Sequence, residues 1–121
     1  MAKKFKLVSH VKESDIQAVI LDYLASLPGA KFWTNKTTGT YDPKFGGFRK
    51  LNGRHNARGS PDILGTIDGK FIGIEVKKPS GIVSPEQQDF INALNRVGAI
   101  AFVARSLDDV ICVLRKYGYV P

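Results

Sequence analysis

Residues 62–77 read DILGTIDGKFIGIEVK, two apolar runs joined by Asp68-Gly69. No other stretch restricts the fold as tightly. An Asp-Gly pair between apolar runs is a strong signal for a two-residue hairpin turn. Such a turn sets Ile67 against Lys70 and Thr66 against Phe71, and counting outward sets Asp62 against Glu75. Side chains alternate along a strand. Leu64 and Thr66 therefore share a face with Asp62, and Phe71, Gly73 and Lys77 share it with Glu75. Ile63, Ile67, Ile72, Ile74 and Val76 fall on the other face, which reads as the core.

Two carboxylates directly opposed across an antiparallel pair have Cβ atoms roughly 4.5–5.5 Å apart and repel. Stability alone does not account for that arrangement, so a positive group is expected between them. Lys77, on the same face, is one candidate. A divalent cation, Mg²⁺ or Mn²⁺, is the other, because these ions take one or two carboxylates and complete their shells with water and phosphate oxygens.

The flanks supply the rest of an α/β order. Residues 13–27 place Ile16, Val19, Ile20, Tyr23, Leu24 and Leu27 at helical spacing, and Pro28-Gly29 ends the run. KFWTN, 31–35, is a short strand. Strands 62–67 and 70–77 follow. Ser84 precedes Pro85, and Gln87 completes a capping box for a helix reaching Val97. AIAFVA, 99–104, is a buried strand, and Ser106 caps a last helix ended by Gly118. The predicted order is α-β-β-β-α-β-α, a mixed central sheet flanked by helices in one domain, 1–121. On the first helix, Glu13 falls within the arc of Ile16, Ile20 and Leu24 and points toward the sheet, with Gln17 at the edge of that arc. Alternatively, Ser14 with Gln17 forms its own capping box and leaves Glu13 just before the helix.

Charge narrows the partners. The 18 basic residues exceed the 11 acidic ones, giving +7, which favours a polyanion. No basic amphipathic helix favours a membrane, and no apolar stretch follows the basic start MAKKFKLVSH to act as a signal peptide or span. A cytoplasmic protein is expected. The single cysteine, Cys112, sits in DDVICVL and is expected to be buried. His10 and His55 have no serine or cysteine partner in view, which disfavours covalent catalysis, and the ligand count excludes a structural zinc site. Nothing suggests an organic cofactor.

Residues 36–58 are expected to form a long basic loop, with RKLNG as a short extra strand at most. Lys36, Lys44, Arg49, Lys50, Arg54 and Arg58 stand there against one acid, Asp42, with Tyr41, Phe45 and Phe48 interleaved. Basic side chains neutralise phosphates and aromatics stack on unpaired bases, so this segment is expected to meet nucleic acid. Asn35 is expected to face the same site, and Lys78 joins the basic set.

Proline-aspartate in GSPD followed by EVK on the next strand resembles the PD-(D/E)XK nuclease superfamily. ESDIQAVILDYL, GSPDILG, IEVKKPSGIVSPEQQDFINAL and VGAIAFVA together resemble its VRR-NUC family, the virus-type replication-repair nuclease domain, in the stand-alone form found in phages and prophages. The resemblance implies a restriction-endonuclease-like core and a Mg²⁺- or Mn²⁺-dependent endonuclease acting on DNA in a bacterial or phage-infected cell. It implies that Asp62, Glu75 and the Val76 carbonyl bind metal. Glu13 would complete that site directly or through water. Lys77 would position or deprotonate the attacking water, or neutralise the phosphate, and Gln17 and Gln87 would lie nearby. Branched or Holliday-junction DNA is the implied substrate, and a two-fold junction suits a homodimer. The alternatives are a catalytically silent DNA-binding module of the same fold and a restriction-like nuclease on linear duplex.

Overall fold

The computed structural model describes residues 11–35, 40–42, 47–49 and 57–121. Its elements in chain order are α1 (Glu13–Ala25), β1 (Ala30–Thr34), β2 (Thr40–Asp42), β3 (Gly47–Arg49), β4 (Ile63–Ile67), β5 (Lys70–Val76), α2 (Pro85–Arg96), β6 (Ile100–Ala104) and α3 (Leu107–Lys116). A four-stranded sheet runs β1-β4-β5-β6. The first two pairings are antiparallel and β5–β6 is parallel, with α2 as the crossover. The sheet is mixed and flanked by helices, as the sequence predicts.

The central hairpin forms with the expected turn. Asp68 and Gly69 both have positive φ, 50° and 82°, the requirement of a type I′ turn. Pairing runs from Ile67↔Lys70 out to Ile63↔Ile74. The face so defined is the core: Ile63, Ile67, Ile72, Ile74 and Val76 are buried against Ile16, Ile20 and Leu24 of α1 and Val110 and Leu114 of α3. Helix α2 covers the other face over β5 and β6. Its C-terminal end is tied down by Asn95, whose side chain donates to Ala101 O at 2.9 Å and accepts from Ala101 N at 2.8 Å. That amide supplies the pairing partner β6 would otherwise seek at its edge.

Three expectations need correction. The segment 36–58 is not devoid of regular structure. Thr40–Asp42 and Gly47–Arg49 pair antiparallel as a separate two-stranded sheet, Tyr41 opposite Phe48. Aromatic and β-branched residues favour strands, and Thr40, Tyr41 and Phe48 supply them here. Of the RKLNG segment only Arg49 is described, at the end of β3, and residues 50–53 lie outside the described residues. Second, α1 starts without a capping box: its N-cap is Lys12, with no side-chain cap, so Glu13 is the first helical residue. Third, Cys112 is exposed. Val110 and Leu114 define the buried stripe of α3, and a residue midway between them points outward. Val19 likewise lies outside the core, 51% exposed.

Asn95 makes two hydrogen bonds that no neighbour replaces among those described. Asn95→Ala should lower stability by about 1–3 kcal/mol, measured by urea unfolding, with α2 rather than α1 losing amide-exchange protection first.

Candidate functional site

The site lies where β4 begins and β5 ends. Asp62, one residue before β4, is half-buried, and Glu75 is 2% exposed. Continuing the observed register one step beyond Ile63↔Ile74 sets Asp62 across from Glu75. The charge of Asp62 bears on the Glu75 carboxyl and disfavours its ionisation. Asp62 Oδ2 also accepts from Val76 N at 2.9 Å. Lys77 Nζ stands 3.8 Å from Glu75 Oε2. The positive neighbour expected from the sequence is therefore present, at the outer limit of an ion pair.

The segment GSPD is shaped by close contacts. Gly59 has φ of 83°, and a β-carbon there would lie 2.5 Å from Glu86 O, so the chain passes directly over the start of α2. Asn35 Nδ2 donates to Ser60 Oγ at 2.5 Å and to Pro61 O at 3.1 Å, and Asn35 N donates to Asp62 O at 2.7 Å. Its amide nitrogen is committed to holding this turn in place. One further step in the register brings Pro61 across from Val76. Proline has no N–H to donate, so it offers nothing to the Val76 carbonyl from that side.

Glu75 is held from α2. Ser84 Oγ accepts from Gln87 N at 3.1 Å, Gln87 Oε1 accepts from Ser84 N at 2.9 Å, and Gln87 Nε2 donates to Glu75 Oε2 at 3.0 Å. The capping box read from the sequence thus fixes the side chain that reaches the acid. Glu75 Oε1 is buried with no hydrogen-bond partner. Burial, then the charge of Asp62 and the hydrogen bond with it, push the Glu75 carboxyl up to about 8. Lys77 pulls against them, and Glu13 adds to the rise.

The donor set fits a hard cation. It offers two acids opposed across the hairpin, one with an unsatisfied buried oxygen, and the Val76 backbone carbonyl beside them. Among the described residues, no group of three or more His, Cys, Asp and Glu side chains is arranged to hold an ion. An ion here would complete its shell with carbonyl and water oxygens. Glu13 is close enough to act on Glu75 electrostatically, but its Oε2 faces Lys78 N at 3.4 Å. Gln17 is half-buried on α1. Lys78 is exposed, and Arg58 lies exposed in the turn before Gly59. Arg49 closes β3. Lys36, Lys50 and Arg54 lie outside the described residues.

No local pattern marks Ser60 as the anchor for Asn35, nor Arg105, whose guanidinium reaches the β5–α2 loop from beyond β6. The role of Pro61 was within reach, because the same outward count that pairs Asp62 with Glu75 also pairs Pro61 with Val76.

This mixed sheet, with acids at the mouth of its central hairpin and a lysine beside them, is the frame of a nuclease-type α/β domain. A family model for the VRR-NUC domain matches residues 44–108, and the chain belongs to that family. The match covers Asp62, Glu75, Lys77 and Gln87 and excludes α1. A solved structure described as a VRR_NUC domain protein superposes with a TM-score of 0.57 over 88% of each chain at 22% identity, a likeness of fold. No curated protein matches the sequence. Nucleases of this type generally use divalent metals. Among the described residues, no helix is long and apolar enough to cross a membrane.

The raised Glu75 carboxyl makes metal-free stability depend on pH. Its ordinary value is 4.5 and its folded value about 8. Between those values the folded chain holds a proton that the unfolded chain has released. The resulting stabilisation is complete below 4.5 and is lost as pH rises through 8. In chelator, urea midpoints should fall across this window, and Glu75→Gln should flatten the slope and stabilise the protein at the alkaline end.

Proposed function

We propose that the chain is a metal-dependent DNA endonuclease that hydrolyses phosphodiester bonds, with branched or Holliday-junction DNA as its favoured substrate. The observation that carries the reading is Glu75: a buried acid with one unsatisfied oxygen, set across the hairpin from a second acid and flanked by a lysine. A fold tolerates such a group when a cation takes its free oxygen.

In this reading Asp62, Glu75 and the Val76 carbonyl hold Mg²⁺ or Mn²⁺. When bound, the ion supplies Lewis acidity toward a phosphoryl oxygen and lowers the pKa of a coordinated water. The chain's own groups do the positioning. Val76 N fixes Asp62 Oδ2, and Gln87 Nε2 fixes Glu75 Oε2. The Lys77 ammonium, beside Glu75, places a positive charge where a phosphate or attacking water would sit, and either orients that water or takes its proton. Glu13 acts through water at the edge of the site. Gln17, Lys78, Arg49 and Arg58, with Lys36, Lys50 and Arg54, contact the nucleic-acid backbone and supply the electrostatic part of affinity. Asn35 serves by positioning the turn that carries Asp62.

Branched DNA is favoured because one domain of residues 1–121 has little surface for base readout, so shape is the property left to recognise. Two-fold symmetry at a four-way junction suits a homodimer.

Cleavage of labelled four-way junction, flap and linear duplex in Mg²⁺ or Mn²⁺ tests the reading. Wild type should cut junction or flap in preference to linear duplex. Asp62→Ala and Lys77→Ala should each lower the rate by about 10²-fold or more while still binding DNA. Equal binding by all three with no cutting would leave a DNA-binding module instead. A fixed cut site on linear duplex would indicate a restriction-like enzyme.

A further inference from the structure

Between β5 and α2 the chain reads Lys77-Lys78-Pro79-Ser80-Gly81-Ile82-Val83. Ile82 is 85% exposed, the most exposed large apolar side chain among the described residues. Single exposed apolar residues are ordinary on protein surfaces. This one differs in what holds it and in what lies beside it.

The loop is clamped. Arg105 Nη1 donates to the carbonyls of Lys78 at 2.9 Å, Pro79 at 3.3 Å and Gly81 at 2.8 Å. Lys78 N donates to Glu13 Oε2, and Gly81 N closes back on Lys78 O at 2.9 Å. Two residues after Ile82, Ser84 opens the capped helix that holds Glu75. Ile82 is therefore carried between two fixed points and presented to solvent.

The loop also borders the site. A β-carbon on Gly81 would lie 3.1 Å from Glu13 Oε2 and 3.4 Å from Lys77 Cδ. Ile82 Cα follows about 3.8 Å further along the chain. A nucleic-acid phosphate placed beside Lys77, at a cation that Asp62 and Glu75 would hold, would bring its own sugars and bases within reach of that side chain.

We infer that Ile82 is an apolar wedge that enters the base stack of branched DNA beside the cleaved phosphate. The location of that phosphate rests on the nuclease reading above. Isoleucine is among the side chains that insert between base steps and unstack them. It makes no hydrogen bonds, so it reads the state of the stack and not its sequence. Unstacking is easier where a branch has already interrupted the duplex, and the wedge thereby discriminates a branch from continuous duplex.

The test uses full-length protein on a four-way junction carrying 2-aminopurine at the branch step, in Ca²⁺ to allow binding without cutting. Wild type should raise the fluorescence of the unstacked base. Ile82→Ser should remove that rise and lower the ratio of junction to linear cleavage by about tenfold. Ile82→Leu should retain both. Arg105→Ala, which frees the loop, should diminish the rise although Ile82 remains. Val97→Ser, which removes another exposed apolar residue at the far end of α2, should behave as wild type. An unchanged signal and ratio in Ile82→Ser overturns the inference and leaves the nuclease reading standing. Absence of cleavage by wild type in Mg²⁺ and Mn²⁺ overturns the nuclease reading, while the fluorescence still decides the role of Ile82.

Discussion

Two acids share one end of a hairpin, and the rest of the site is arranged around keeping them there. Opposed carboxylates repel, and Glu75 is almost wholly out of water. Removing that oxygen from solvent without a partner is costly in the isolated chain. The arrangement is tolerated in the metal-free state by protonation: the carboxyl of Glu75 holds its proton to about 8. A buried acid with a raised pKa beside a lysine is a candidate functional group.

The same hairpin that creates the conflict also sets its geometry. The type I′ turn at Asp68-Gly69 fixes register, and register carries Asp62 to Glu75 and Pro61 to Val76. Support then comes from three directions. Asn35, just past the end of β1, holds the GSPD turn; Gln87 on α2 holds Glu75; and Arg105, beyond β6, holds the loop that follows Lys77. Each comes from a different part of the chain, and the packing of α2 and the outer strands around the hairpin brings them together. Residues outside the acid pair thereby decide where its side chains sit.

Much of this was legible because short-range rules govern it. The Asp-Gly turn, the alternation along two strands and the Ser84–Gln87 capping box are local patterns, and they placed Asp62, Glu75, Lys77 and the core isoleucines correctly. The β2–β3 hairpin is not legible because each of its strands is three residues long, too short to show an alternating pattern. Cys112 is misread when the apolar run around it is taken whole, without resolving which side of the helix each residue faces. Asn35–Ser60 and Arg105 with the β5–α2 loop join residues distant in sequence, and no local pattern announces such pairs.

The site depends on Glu75, opposite Asp62, holding a proton that a cation displaces. Calorimetric titration of the chelator-treated protein with Mn²⁺ at pH 7, in buffers of different ionisation enthalpy, measures it directly. The account predicts binding with release of about one proton per ion, and loss of that release in Glu75→Gln. Binding with no proton released, or no binding at all, would contradict it.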